Sequence, residues 1–310
     1  MTLPRSIGLV EVGPRDGLQN ESATVPVPVK VEFIRRAAAA GLRRIEVASF
    51  VSPRRVPQMA DAEDVMRALP RQAGLRYIGL VLNRAGFDRA AAAGCEEIGM
   101  VVFTTDAFNE RNQGTTTDGA IRAWHEIAAA ARTAGIKAQV TISAAFGCPF
   151  EGEVAPERVV GIAQQVAEAG PFEIAVADTI GVAVPGQVSE VFGRVAEALP
   201  GMALRGHFHN TRNTGLANAY AALLAGAGTL DASLGGLGGC PFAPAATGNI
   251  PTEDLVYMLG RMGIGTGVDL GRAIEAARYI EQQVGHPVPG MLLKAGPFPG
   301  AARPAAAKSA

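Results

Sequence analysis

Aromatic residues are scarce in this chain: 12 Phe, 4 Tyr and 1 Trp in 310 residues. A composition so poor in rings and rich in Ala, Gly and Val suits close packing of helices on a sheet. Cysteine is nearly absent too. Cys95, Cys148 and Cys240 make an odd number with no C-x-x-C pair, which argues against a disulfide framework and for a reducing compartment. Bulk charge is missing, since the formal net charge is −1. A nucleic-acid or membrane-surface partner held by bulk electrostatics is therefore not expected. No apolar run approaches a membrane span. The start, MTLPRSIGLVEVGPRDG, shows no charged region leading into a long apolar core, so no signal peptide is expected and a cytoplasmic protein is. After the first strand-like run the chain reads GPRDG, not a glycine-rich dinucleotide fingerprint. No lysine stands at the C-terminal end of a strand candidate, for Lys137 begins its run; this disfavours Schiff-base and carbamylated-lysine chemistry. No G-x-S-x-G or Ser-His-Asp arrangement is evident.

What the chain does have is a regular alternation. Strand-like runs rich in Val and Ile occur at Ile7–Gly13, Arg44–Ser49, Arg76–Leu82, Glu97–Phe103, Lys137–Phe146, Phe172–Thr179, Ala203–Asn210 and Thr229–Gly235. Amphipathic, Ala-rich segments separate them, with Pro156 and Pro185 at helix starts and Gly41, Gly94, Gly135 and Gly170 past helix ends. Unbroken βα alternation predicts a single α/β domain of the TIM (β/α)8 barrel type over residues 1–284. Two further helical stretches, Thr252–Arg261 and Asp269–Val284, belong to it. Residues 285–310 form an extension whose low-complexity end, GPFPGAARPAAAKSA, is expected to be disordered.

Only four histidines are present, and His207 and His209 occupy alternate positions of HFHN. On a strand they share a face, which suits either a divalent metal or a hydrogen-bonded core pair. The barrel's active site lies at the strands' C-terminal ends, where this sequence gathers Arg15 and Asp16, Glu46, Asp178, and a glycine-rich loop holding Cys240 and Asn249. Asp16 is the natural carboxylate partner for the histidines, unless it only caps the turn after Pro14. Asn249 offers a carbonyl, or is simply a turn residue after Gly248. Oxygen and imidazole donors together favour Mg²⁺ or Mn²⁺, with Zn²⁺ behind them. Arg15 can stabilise an oxyanion, pair with Glu46, or both. Asp178 reads as a proton-handling acid or the cap of a βα loop. Cys240 reads as an acid or base in a mobile loop or as a small buried filler.

Longer blocks carry a resemblance. VEVGPRDGLQNE, SFVSPRRVPQMAD, GCPFEG, DTIGV, HFHNT, and GGLGGCPFAPAATGN followed by TEDLVYML resemble the 3-hydroxy-3-methylglutaryl-CoA lyase family over nearly the whole chain. The resemblance implies a metal-dependent, homodimeric barrel acting on an acyl-CoA thioester. It implies metal ligation by Asp16, His207, His209 and Asn249, and catalytic parts for Arg15, Glu46, Asp178, His207 and Cys240. The family's reaction is a retro-aldol (Claisen-type) cleavage of the C2–C3 bond of a 3-hydroxyacyl-CoA. Arg15 would stabilise the enolate oxygen, and Cys240 would protonate the carbon. Gln19, Asn83, Thr141 and Arg212, with Arg15, make up the expected substrate contacts.

The chain departs from the family's pattern around the acyl group. Asn210 stands where members carry Asp, Arg212-Asn213 replace Tyr-Gly, Ser22 replaces a Lys, Thr141 a Tyr and Ala175 a Ser. A related substrate such as citramalyl-CoA is one outcome, with Arg212 adding a carboxylate contact. A condensing synthase on the same barrel, or a non-catalytic metal-binding barrel, are the remaining alternatives.

Overall fold

The alternation read from the sequence becomes a closed barrel of parallel strands. The computed structural model describes residues 3–240 and 243–299, apart from the side chains of 240 and 243–246. In order the elements are β1 (Gly8–Glu11), α1 (Val27–Ala39), β2 (Arg44–Ser49), α2 (Ala62–Ala68), β3 (Arg76–Leu80), α3 (Arg84–Ala92), β4 (Glu97–Phe103), α4 (Asp106–Gln113), α5 (Thr117–Ala134), β5 (Lys137–Ser143) and α6 (Pro156–Ala167). They continue with β6 (Ile174–Asp178), α7 (Pro185–Ala198), β7 (Leu204–Phe208), α8 (Gly215–Leu224), β8 (Thr229–Ala232), the short antiparallel pair β9 (Gly239–Cys240) and β10 (Ala243–Thr247), α9 (Thr252–Arg261), α10 (Leu270–Val284) and α11 (Leu292–Ala295). Strands β1 to β8 pair in sequence order, and β8 closes on β1 with Gly8 opposite Thr229 and Glu11 opposite Ala232.

Local chemistry sets the helix ends. Pro156 and Pro185 open α6 and α7, where a missing N–H costs nothing. Thr116 caps α5 by accepting from Gly119 N at 3.2 Å, and Gly135 ends it at φ 69°. The lone tryptophan, Trp124, is fully buried and donates from Nε1 to Val166 O at 2.8 Å, fixing α5 to α6. No helix among the described residues is long and apolar enough to cross a membrane.

Several strands stop earlier than the apolar pattern. β1, β5, β7 and β8 end at Glu11, Ser143, Phe208 and Ala232, and the residues beyond turn inward to build the barrel mouth. Gly13–Gly17 winds into one π-helical turn, with Gly17 N donating to Val12 O at 3.3 Å. At the other end, Arg44 bridges Glu97 and Glu173 at 2.6 and 2.7 Å, and a buried ionic lattice seals the barrel floor.

Glu11 ties the mouth together. Its Oε1 accepts from Gly13 N and Leu234 N at 2.9 Å each, and its Oε2 accepts from the Thr252 hydroxyl at 2.7 Å. One buried carboxylate so joins β1, the loop after β8 and the start of α9. Glu11→Ala leaves three buried donors without partners and should cost about 3 kcal/mol or more. Urea unfolding with an unchanged m value reads this as a lower midpoint; an unshifted midpoint would show that the loops are held by other means.

The neighbouring α9 carboxylates dock the C-terminal segment. Gly235 N donates to Glu253 Oε2 at 2.9 Å, while Met291 N and Leu292 N donate to Asp254 at 2.9 and 2.8 Å. Val288 and Leu292 are buried there. Of the tail expected to be disordered, residues 296–310, the first four are described, with Gly296 N donating to Leu292 O at 2.9 Å and Arg261 over the Phe298 ring at 4.6 Å; residues 300–310 lie outside the described residues.

Candidate active site

A cavity of about 630 Å³ opens at the C-terminal ends of the strands, and Arg15, Asp16, Gln19, Glu46, Thr141, His207 and His209 all line it. The π-turn after β1 delivers Arg15 and Asp16, β2 delivers Glu46, and β7 with the residue after it delivers both histidines. Ligand atoms of Asp16, His207 and His209 lie within 4.8 Å of one another.

The chemistry of this trio fits a divalent cation. His207 Nδ1 faces Asp231 Oδ2 at 3.2 Å, the carboxylate–imidazole pairing that fixes a ligand ring and frees its other nitrogen. His209 Nδ1 is buried with no hydrogen-bond partner among the described residues. Burial and the neighbouring His207 push the His209 pKa down to about 4, so the imidazole is in its neutral, ligating form. Burial alone would raise the Asp16 carboxyl, but Arg15 and the two histidines hold it well below the usual carboxylate range. Asn249 Nδ2 donates to Asp16 Oδ2 at 2.7 Å and to Leu237 O at 3.3 Å. In this orientation Asn249 steadies the carboxylate instead of presenting its own oxygen. Glycine is required for that approach: a Cβ on Gly238 would lie 3.0 Å from Asn249 Nδ2, and one on Gly248 would lie 2.7 Å from Gly238 O.

Arg15 sits between two carboxylates, with Nη1 at 2.7 Å from Asp16 Oδ1 and Nη2 at 2.6 Å from Glu46 Oε2. The ion pair with Glu46 is present, and it holds the guanidinium on the cavity wall. Burial raises the Glu46 carboxyl, and Arg15 opposes that rise.

Three expected residues point elsewhere. Asp178 is buried, and its two oxygens accept from Val182 N and Ala183 N at 2.9 and 3.0 Å, so it caps the loop after β6 and is not among the residues lining the cavity. Asn83 caps α3 by accepting from Gly86 N at 2.9 Å and lines a separate cleft. Arg212 is exposed and donates to Ile180 O and Gly181 O at 3.0 and 2.9 Å, clamping one loop to another. Its guanidinium is taken up by those two carbonyls, and Arg212 is not among the residues lining the cavity. The Cys240 side chain lies outside the described residues.

Asp231 and Arg205 were not singled out from the sequence, although both line the cavity. The signal was available: an acid inside a four-residue buried strand, and a cation two positions before His207 on the same face. Asp231→Asn should weaken Mn²⁺ binding by about 10- to 100-fold, the usual effect of removing a ligand's carboxylate support. Calorimetric titration measures it, and unchanged affinity would remove Asp231 from the site.

Sequence and structure comparisons agree with this geometry. The HMGL-like family model matches residues 6–280. An (R)-citramalyl-CoA lyase of Chloroflexus aurantiacus is 43% identical over 94% of this chain and 95% of its own. A hydroxymethylglutaryl-CoA lyase of Pseudomonas mevalonii is also 43% identical, over 91% and 93%. The structure of an HMG-CoA lyase from Acinetobacter baumannii, in complex with coenzyme A and 3-methylmalate, superposes with a TM-score of 0.91 at 38% identity, covering 98% of this chain and 99% of that one. The chain belongs to the HMGL-like family, as an oxo-acid lyase related to hydroxymethylglutaryl-CoA lyase.

Proposed function

We propose that this protein cleaves the C2–C3 bond of a 3-hydroxyacyl-CoA, giving acetyl-CoA and an oxo acid, with Mg²⁺ or Mn²⁺ at Asp16, His207 and His209. The observation that carries this reading is Arg15, held by Asp16 and Glu46 on the cavity wall directly beside the histidine pair. A divalent ion held by these three residues would supply Lewis acidity to a bound substrate. Arg15 meets the negative charge that develops on the thioester oxygen as the bond breaks, and its two ion pairs fix it in place beforehand. Glu46 is on the same wall and able to accept the 3-hydroxyl proton. The complex of the Acinetobacter relative with coenzyme A supports a thioester substrate.

The leading substrate is 3-hydroxy-3-methylglutaryl-CoA or a close relative. Citramalyl-CoA is the second reading, favoured by the identity to the Chloroflexus enzyme over nearly its full length. Comparing kcat/KM for 3-hydroxy-3-methylglutaryl-CoA and (R)-citramalyl-CoA, with Mn²⁺ present, separates the two. A clear preference for the citramalyl thioester would replace the leading assignment.

A further inference from the structure

The barrel is open below the metal-binding trio. Interior positions of a TIM barrel are ordinarily filled by layers of side chains. Here the cavity continues two residues further from the mouth, from Val101 to Gly99 on β4, from Thr141 to Gln139 on β5 and from His207 to Arg205 on β7. Two residues along a strand span about 6.6 Å. The depth exists because Gly99 has no side chain and Thr141 a short one. A Cβ on Gly99 would lie 2.6 Å from Gln139 Nε2, so a larger residue on β4 would close this space.

The far end of the cleft is polar in one sense only. Arg205 Nη2 donates to Gln139 Oε1 at 2.5 Å and to Thr141 Oγ1 at 3.4 Å. A guanidinium has donors and no acceptor, so the amide oxygen of Gln139 must face it and the NH₂ group must turn away. Gln139 is 2% exposed, and its Nε2 donates to no partner among the described residues. Thr141 accepts from Arg205 and so keeps its own hydroxyl hydrogen to give. The charge of Arg205 is already matched, by Glu173 Oε2 at 3.5 Å and Asp231 Oδ1 at 3.3 Å. A carboxylate placed here would meet those two acids. The walls of the cleft above are Val10, Val12, Ile78 and Leu80.

We infer that this cleft seats the substrate's C3 substituent and selects an uncharged arm longer than methyl that ends in a hydrogen-bond acceptor, received by Gln139 Nε2 and the Thr141 hydroxyl. The inference rests on the lyase reading above and names its substrate class. Apolar walls hold the carbons of the arm, and burying an unpaired amide donor penalises any arm that leaves it unmet.

The test uses three 3-hydroxyglutaryl-CoA thioesters bearing methyl, butyl or 3-oxobutyl at C3, with the parent protein and Gln139→Leu. The parent should cleave the oxobutyl thioester with a kcat/KM about tenfold or more above the methyl one. Gln139→Leu should abolish the advantage of oxobutyl over butyl. Calorimetric binding of the corresponding oxo-acid products, with Mn²⁺ present, reads the same order of arms without turnover. Equal product affinity across the three arms, or a methyl preference that Gln139→Leu leaves untouched, would overturn the inference. Absence of cleavage of all three thioesters, with the arm order retained in binding, would instead contradict the lyase reading.

Discussion

Replacing His209 with alanine should abolish most divalent-metal affinity and nearly all turnover while leaving the fold intact. His209 is one of three residues whose donor atoms lie within 4.8 Å, and its Nδ1 has no hydrogen-bond partner among the described residues. Loss of a ligand should exceed the roughly 10- to 100-fold effect of losing a ligand's supporting carboxylate. The fold should tolerate the change because the substitution also removes a buried polar atom that has no partner among the described residues. Titration with Mn²⁺ and thermal unfolding check both halves. Parent-like Mn²⁺ binding would mean that the cation sits elsewhere.

Arg15→Met should lower kcat by about 100-fold or more, the scale seen when a donor aimed at developing oxyanion charge is removed. KM should move much less, since the contact strengthens as charge appears on the thioester oxygen. The substitution also leaves Glu46 without its cation, and burial then favours its protonated form. Arg15→Lys keeps the charge but not the fork that reaches Asp16 and Glu46 together, so it should recover only part of the loss. An effect confined to KM would place Arg15 in ground-state binding instead.

The barrel was legible because its strands are buried on both faces and so read as continuous apolar runs. β2 and β4 begin and end where the pattern does. What stayed hidden is hydrogen-bond structure that periodicity does not encode. The π-turn at Gly13–Gly17 begins at the last residue of an apolar run that continues two residues after the ladder stops. α4 is a polar segment fastened by Asn109, whose Nδ2 donates to Phe103 O, Thr105 O and Thr117 Oγ1. The candidate site followed a sound rule, that residues at strand ends face the mouth. That rule places a backbone position but not the direction of its side chain. For Asn83, Asp178 and Arg212 the neighbouring turns supply unpaired backbone groups, and capping them outcompetes the cavity. Asp231 and Arg205 lie within core strands, before the strand ends, so the rule does not reach them.

The most direct measurement strips the protein with a chelator and incubates it with a panel of 3-hydroxyacyl-CoA thioesters, before and after Mn²⁺ is restored, while mass spectrometry follows acetyl-CoA. Acetyl-CoA and the matching oxo acid should appear only once the metal is returned, and His209→Ala should stay silent under both conditions. Cleavage that proceeds equally in the stripped protein, or a restored protein that releases no acetyl-CoA from any member of the panel, would contradict a metal-dependent lyase centred on Asp16, His207 and His209.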